Sequence, residues 1–300
     1  MPATALPRRA LGQTGLVVGA CGLSLGAVPD RRQALRLLRQ AREGGVTLFE
    51  AGTPEAEALL GEALRGEALH GEAAPPVLAA RLPPPGPRAA GLRGAVEGAL
   101  RRLRTDCLDL AQLPLPAPGE ATEAALALLT TLIWEGKLRA FGVLEPQPSL
   151  LVEAHWRAEG RGLARPGSAR ALYAPLARGA ERDLLPSCRR HGMGVLARGP
   201  ARPMDAPQQA GLQRLAAAAG LTPAQLALAF TLAHPAVTAA LVAPAGAAAL
   251  EQALHAARLV PEPELLDGLD QLLPPGSDAL PPEAPPAPTR RRPGEGRAAA

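Results

Sequence analysis

Few side chains in this 300-residue sequence could carry chemistry. Lys137 is its one lysine, Tyr173 its one tyrosine, and asparagine is absent. A mechanism that needs an ammonium, a phenol or an asparagine amide therefore has one place or none in which to find it. His70, His155, His191, His234 and His255 show no H-x-x-x-H spacing, and Cys21, Cys107 and Cys188 form no C-x-x-C pair. Neither set marks a metal or redox centre, so no metal is expected and the cysteines are expected in the core. The histidines, and Trp134 and Trp156, are expected on outer elements, the tryptophans as packing residues. What remains is a set of acids and arginines, above all Glu50, Arg81, Glu145, Arg170, Arg178, Arg198 and Arg202. Carboxylates can hold or move protons, and the planar fork of arginine grips carboxylate or phosphate. The chemistry on offer is ion pairing, anion binding, or acid–base work by a glutamate.

The elements that would position these residues can be read from periodicity. Short apolar runs recur at Ala20–Leu25, Val46–Glu50, Val77–Arg81, Cys107–Gln112, Leu138–Val143, Ala169–Tyr173, Gly194–Ala197 and Thr238–Val242. Amphipathic segments of helical period separate them. Asp30 is a good N-cap for a helix over 31–43 that Gly44-Gly45 would end, and Thr222-Pro223 opens another. Eight strands alternating with helices predict a (β/α)8 barrel, an α/β fold. The loop Gly26-Ala27-Val28-Pro29-Asp30 lacks the G-x-G-x-x-G of a doubly wound dinucleotide fold. Residues 9–18, centred on Gly12-Gln13-Thr14-Gly15, read as a hairpin that would plug the barrel bottom. The expected organisation is an N-terminal extension (1–8), the barrel (9–273) and a disordered tail (274–300) with eight prolines and Arg290-Arg291-Arg292. Barrels of this kind work at the C-terminal ends of their strands, where Glu50, Arg81, Gln112–Pro114, Glu145, Arg198 and the neighbouring arginines fall.

Composition sets the remaining bounds. Hydrophobic residues make up 47% and charged residues 20%, enough apolar content for a packed core. The 32 Lys+Arg against 28 Asp+Glu form no clustered excess, and six aromatics supply no stacking platform, so nucleic acid is not an expected partner. Residues 1–15 contain no apolar run of the secretory kind. Residues 215–250 lack acids, lysine and arginine but are broken by Gly220, Pro223, Pro235 and Pro244. No membrane association and a cytoplasmic location are expected.

Several segments, in order, resemble one known family. Arg9-Ala10-Leu11-Gly12-Gln13-Thr14-Gly15-Leu16 is similar to the R-x-L-G-x-T-G-L opening of the aldo-keto reductases. Glu57-Ala58-Leu59-Leu60-Gly61-Glu62-Ala63-Leu64 resembles their E-x-L-L-G-x-A-L helix, and Leu108–Leu113 their fourth strand. Gly136–Val143 resembles G-K-x-R-x-x-G-V, and Leu221–Ala229 the penultimate helix. The resemblance implies NADPH-dependent carbonyl reduction by an Asp, Tyr, Lys and His set. In this sequence the Asp position falls on Glu50, the Lys position on Arg81 and the His position on Pro114, and no aromatic follows Glu50 where the Tyr is due. The cofactor positions fall on Leu144, Glu145, Arg170 and Arg198, and the phosphate segment reads Ala243-Pro244-Ala245-Gly246. Loss of a positioned general acid costs about 10²–10⁴ in rate. The expectation is therefore a degenerate member, a pseudoenzyme on an NADP-dependent scaffold, in which Glu50, Arg81, Glu145 and Arg198 form a solvated ion network at the mouth, with binding of a small anion or a partner there as the sharper reading. The alternative is an active reductase drawing its proton from water or Glu50.

Overall fold

The computed structural model describes residues 6–26, 30–65, 74–116, 119–199 and 206–276. Its centre is a closed barrel of eight parallel strands: β3 (Cys21–Leu25), β4 (Leu48–Ala51), β5 (Val77–Arg81), β6 (Leu108–Leu113), β7 (Leu138–Leu144), β8 (Ser168–Leu172), β9 (Gly194–Arg198) and β10 (Val237–Val242). The ring closes by pairing β10 with β3, so no strand edge is left open. The observed fold is the (β/α)8 barrel that the sequence predicts, with strand ends within two residues of the expected ones. Strand pleating explains the filling. Leu48, Val77, Ala79, Leu110, Ala140, Leu196 and Leu241 form one buried cluster inside the ring, while alternate residues such as Phe49, Leu78, Ala111 and Phe141 join the layer beneath the helices.

The bottom of the barrel is plugged by an antiparallel hairpin of β1 (Arg8–Ala10) and β2 (Val17–Gly19), which sends Leu11, Leu16 and Val18 into the inner cluster. Gly12 lies at φ +53, and a Cβ there would stand 2.4 Å from the Gly194 nitrogen and 2.6 Å from the Gly192 oxygen. Only glycine allows the plug to seat this closely.

The helical layer follows its caps. Asp30 accepts from the backbone N–H groups of Arg32 and Gln33 at the start of α1 (Arg31–Glu43). α2 (Pro54–Arg65) lies so close to α3 (Leu92–Leu103) that a Cβ on Gly61 would meet the Arg102 carbonyl at 2.3 Å. α4 (Glu120–Trp134), α5 (Pro148–Gly160) and α6 (Leu184–Arg190) continue the ring. Two helices, α7 (Ala206–Ala218) and α8 (Pro223–Ala233), occupy the long interval before β10, and Thr222 gives α8 a full capping box. α9 (Ala247–Ala256) and α10 (Pro263–Leu272) complete it, α10 setting Leu272 against Gly211 of α7.

Some expectations need correction. Trp134 and Trp156 sit on outer helices; Trp134 is 78% exposed and is not a packing residue, whereas Trp156, 58% exposed, packs one edge against His155 and His191. Cys21 and Cys188 are core residues whose thiols burial pushes up to about 12, whereas Cys107 is only half-buried. The expected tail lies, from residue 277 onward, outside the described residues. Among the described residues no single helix is long and apolar enough to cross a membrane, and the apolar stretch 207–233 is bent by 83° between α7 and α8.

Candidate functional site

At the C-terminal rim the pleat turns Ser24, Glu50, Arg81, Gln112, Arg170 and Arg198 toward the barrel axis. Glu50 is completely buried. The Ser24 hydroxyl donates to its Oε2 at 2.6 Å, Arg170 Nε lies 2.9 Å from its Oε1, and Arg81 Nε lies 3.7 Å from Oε2. β4 and β8 are four strands apart in the ring of eight, so the Glu50–Arg170 pair spans the barrel from one wall to the other. Arg81 owes its place to Gly52. A Cβ at that position would fall 1.5 Å from Arg81 Nη2.

A second ion pair lies above the first. Glu145, directly after β7, has φ +43, and its N–H donates to the Arg170 carbonyl at 2.7 Å. Such a conformation costs a non-glycine residue on the order of 1 kcal/mol and needs neighbours that hold it. Here Arg198 Nε donates to its carboxylate at 2.5 Å and Arg170 Nη1 lies 3.4 Å away. The Arg198 hydrogen bond holds Glu145 below the usual carboxylate range, aided by the charges of Arg198, Arg170 and Arg81 and opposed by partial burial. The rim thus links Ser24, Glu50, Arg81, Arg170, Glu145 and Arg198 in one network. Gln112, paired in register with Arg81, is buried beside it with neither amide atom hydrogen-bonded.

Other expected residues are elsewhere. Arg178 turns away from the axis, pairs with Glu181 and Asp270, donates to the Leu273 carbonyl and lies over the Phe230 ring. Tyr173 is buried against Phe230 and His234 and donates to Glu181, and burial pushes its phenol well above the usual tyrosine range. Lys137 pairs with Glu97 and Glu135. The lone tyrosine and the lone lysine are therefore both structural. His155 and His191 form a ring pair with Trp156 on the outer layer, away from the rim as expected. Pro114 follows β6 and offers no donor. Arg202 and His70 lie outside the described residues, among which no group of three His, Cys, Asp or Glu could hold a metal ion.

Beside the network a cavity of about 460 Å³ opens between β8–β10 and the helices α8 and α9. Ser24, Arg170 and Arg198 form its inner end, and Ala243, Pro244, Ala249 and Ala253 lie along its outer wall. Leu144, expected near the cofactor, is paired with Arg170 in the β7–β8 register and does not border this space. Ser24 was not foreseen from the sequence. Its signal was its place two residues after inward-facing Gly22 at the end of the first barrel strand.

Residues 15–202 match the family model described as Aldo/keto reductase family. The chain belongs to the aldo/keto reductase family. Its fold is shared by an aldo/keto reductase from Klebsiella pneumoniae solved in complex with NADP and acetate, at 29% identity and a TM-score of 0.73, over 90% of this chain and 96% of that one. A Klebsiella pneumoniae aldo-keto reductase solved with NADPH gives 30% identity and a TM-score of 0.72 over the same shares. Norsolorinic acid reductase A of Aspergillus parasiticus is 30% identical over 110 residues, 37% of this chain. That match spans only 28% of the relative's length.

Proposed function

We propose that this family member does not perform the family's carbonyl reduction and that its rim binds a small anion. The observation that carries this reading is Glu50. A buried carboxylate on which a hydroxyl and two guanidinium groups converge acts as an acceptor, and arginine stays protonated, so none of these groups supplies the proton an alkoxide needs. The only tyrosine and the only lysine of the chain are engaged elsewhere. Nor does the cavity fit a phosphorylated dinucleotide. Its described cations are Arg170 and Arg198, of which Arg170 is paired with Glu50 and Glu145, and the Ala243-Pro244-Ala245-Gly246 segment and the α9 face beside it carry no cation, which leaves too little positive charge for several phosphates.

A second reading, an active reductase with a non-standard acid, has one supporting observation: two solved relatives of about the same length hold NADP or NADPH. Assay of the purified chain with NADPH and a panel of reactive dicarbonyls and aldehydes separates the two. We expect no turnover above the uncatalysed rate. Steady NADPH-dependent turnover that vanishes in Glu50→Gln would establish Glu50 as the acid and overturn the proposal.

A further inference from the structure

The rim and its cavity also define the shape of an anion. Around the network Arg81, Arg170 and Arg198 face Glu50 and Glu145, three cations against two carboxylates, which leaves one positive charge to be matched. Arg198 gives only its Nε to Glu145; among the described residues its two terminal amino groups have no partner, and it lines the inner end of the cavity. Away from that end the wall is mostly apolar, built from Ala197, Ala227, Leu228, Leu241, Ala249 and Ala253, with Gln252 of α9 and Gln225 and Thr231 of α8 as its polar side chains. The side-chain oxygens that α8 presents there are already engaged. Gln225 accepts from the Thr222 N–H in the capping box, and the Thr231 hydroxyl donates to the Ala227 carbonyl. At about 460 Å³ the space lies within the range of small-molecule sites.

We infer that this cavity takes an elongated monocarboxylate, an acyl-chain acid whose carboxylate meets Arg198 beside Arg170 and Ser24 and whose chain lies along the alanine-lined wall between α8 and α9. One carboxylate matches the single excess charge, and an unbranched chain needs none of the donors that the wall lacks. The inference rests on the reading of the rim as an anion-binding site and names the anion's class. Small side chains along the wall supply width, while Arg198 supplies the terminal donors.

Isothermal titration of the full chain with hexanoate, octanoate and decanoate tests this, with octanamide as the uncharged control. We expect saturable one-site binding that strengthens about tenfold for each pair of added methylene groups. Octanamide should not bind measurably. Arg198→Gln should weaken octanoate binding about tenfold or more, and Ala227→Phe, which fills the wall without touching a charge, should abolish binding of decanoate. Affinity independent of chain length, equal binding of octanamide, or unchanged affinity in Arg198→Gln would overturn the inference. NADPH turnover would instead bring down the reading of the rim itself, whereas absence of both turnover and carboxylate binding would bring down only the acyl-chain assignment.

Discussion

At the scale of single residues, Glu50 determines what the rim can do, because its burial is compensated by partners drawn from three strands. Removing one member of a buried charge cluster strands the others, at about 3–5 kcal/mol. Glu50→Ala is therefore expected to lower the urea unfolding free energy by about that amount, through loss of the partner shared by Arg170, Arg81 and Ser24. A loss below about 1 kcal/mol would contradict the account. Tyr173→Phe removes a hydrogen bond to the Glu181 carboxylate and should cost about 1.5–3 kcal/mol in the same measurement. Glu50, Arg81, Glu145 and Arg198 were legible as rim residues because strand ends can be read from apolar runs, and Arg170 only through the family resemblance. The pairing of Glu50 with Arg170 across the barrel was not, since sequence distance carries no sign that two strands face each other around a closed ring. Arg178 was misplaced for a related reason. It follows a strand end in sequence, but its partners are Glu181 close by and Asp270 on the last helix.

At the scale of elements, the contact between α5 and α6 carries a pH dependence. His155 is buried there, its ring centroid 4.8 Å from that of His191, and burial first, then the neighbouring charges of His191 and Arg165, lowers its pKa below the ordinary histidine value. The unfolded chain therefore binds the proton more readily than the folded one. The resulting stability is complete above the unfolded histidine pKa of about 6.5 and is lost as pH falls through that value toward the folded one. His234, lowered by burial beside Tyr173, acts in the same direction. Urea midpoints should fall between pH 7.5 and pH 5.5 (about one unit either side of that ordinary value), and His155→Phe should flatten part of the slope. An unchanged slope in the variant would show that His155 does not titrate in this window. Element boundaries were legible where a cap fixes them, as at Asp30 and Thr222. The presence of two helices before β10 showed only as a longer interval, and α10 was not foreseen although Leu265, Leu266, Leu269 and Leu272 recur at helical spacing after Pro263.

At the scale of the whole molecule, the strands close the ring and the hairpin plug fills its bottom. Gly12→Ala places a Cβ at positive φ against the backbone of residues 192 and 194, and should lower stability by more than about 1 kcal/mol in thermal unfolding. An unchanged transition would mean that the plug yields without cost. The barrel was legible because eight apolar runs recur at nearly constant spacing, a regularity that belongs to the fold and survives change at the rim. The function was less legible, because it depends on which side chains converge once the ring has closed. The central claim is that this rim and cavity no longer hold the family's cofactor, and titration of the purified chain with NADPH, followed by cofactor fluorescence, addresses it most directly. The account predicts no saturable change across ordinary cofactor concentrations; saturation in the low micromolar range would contradict it.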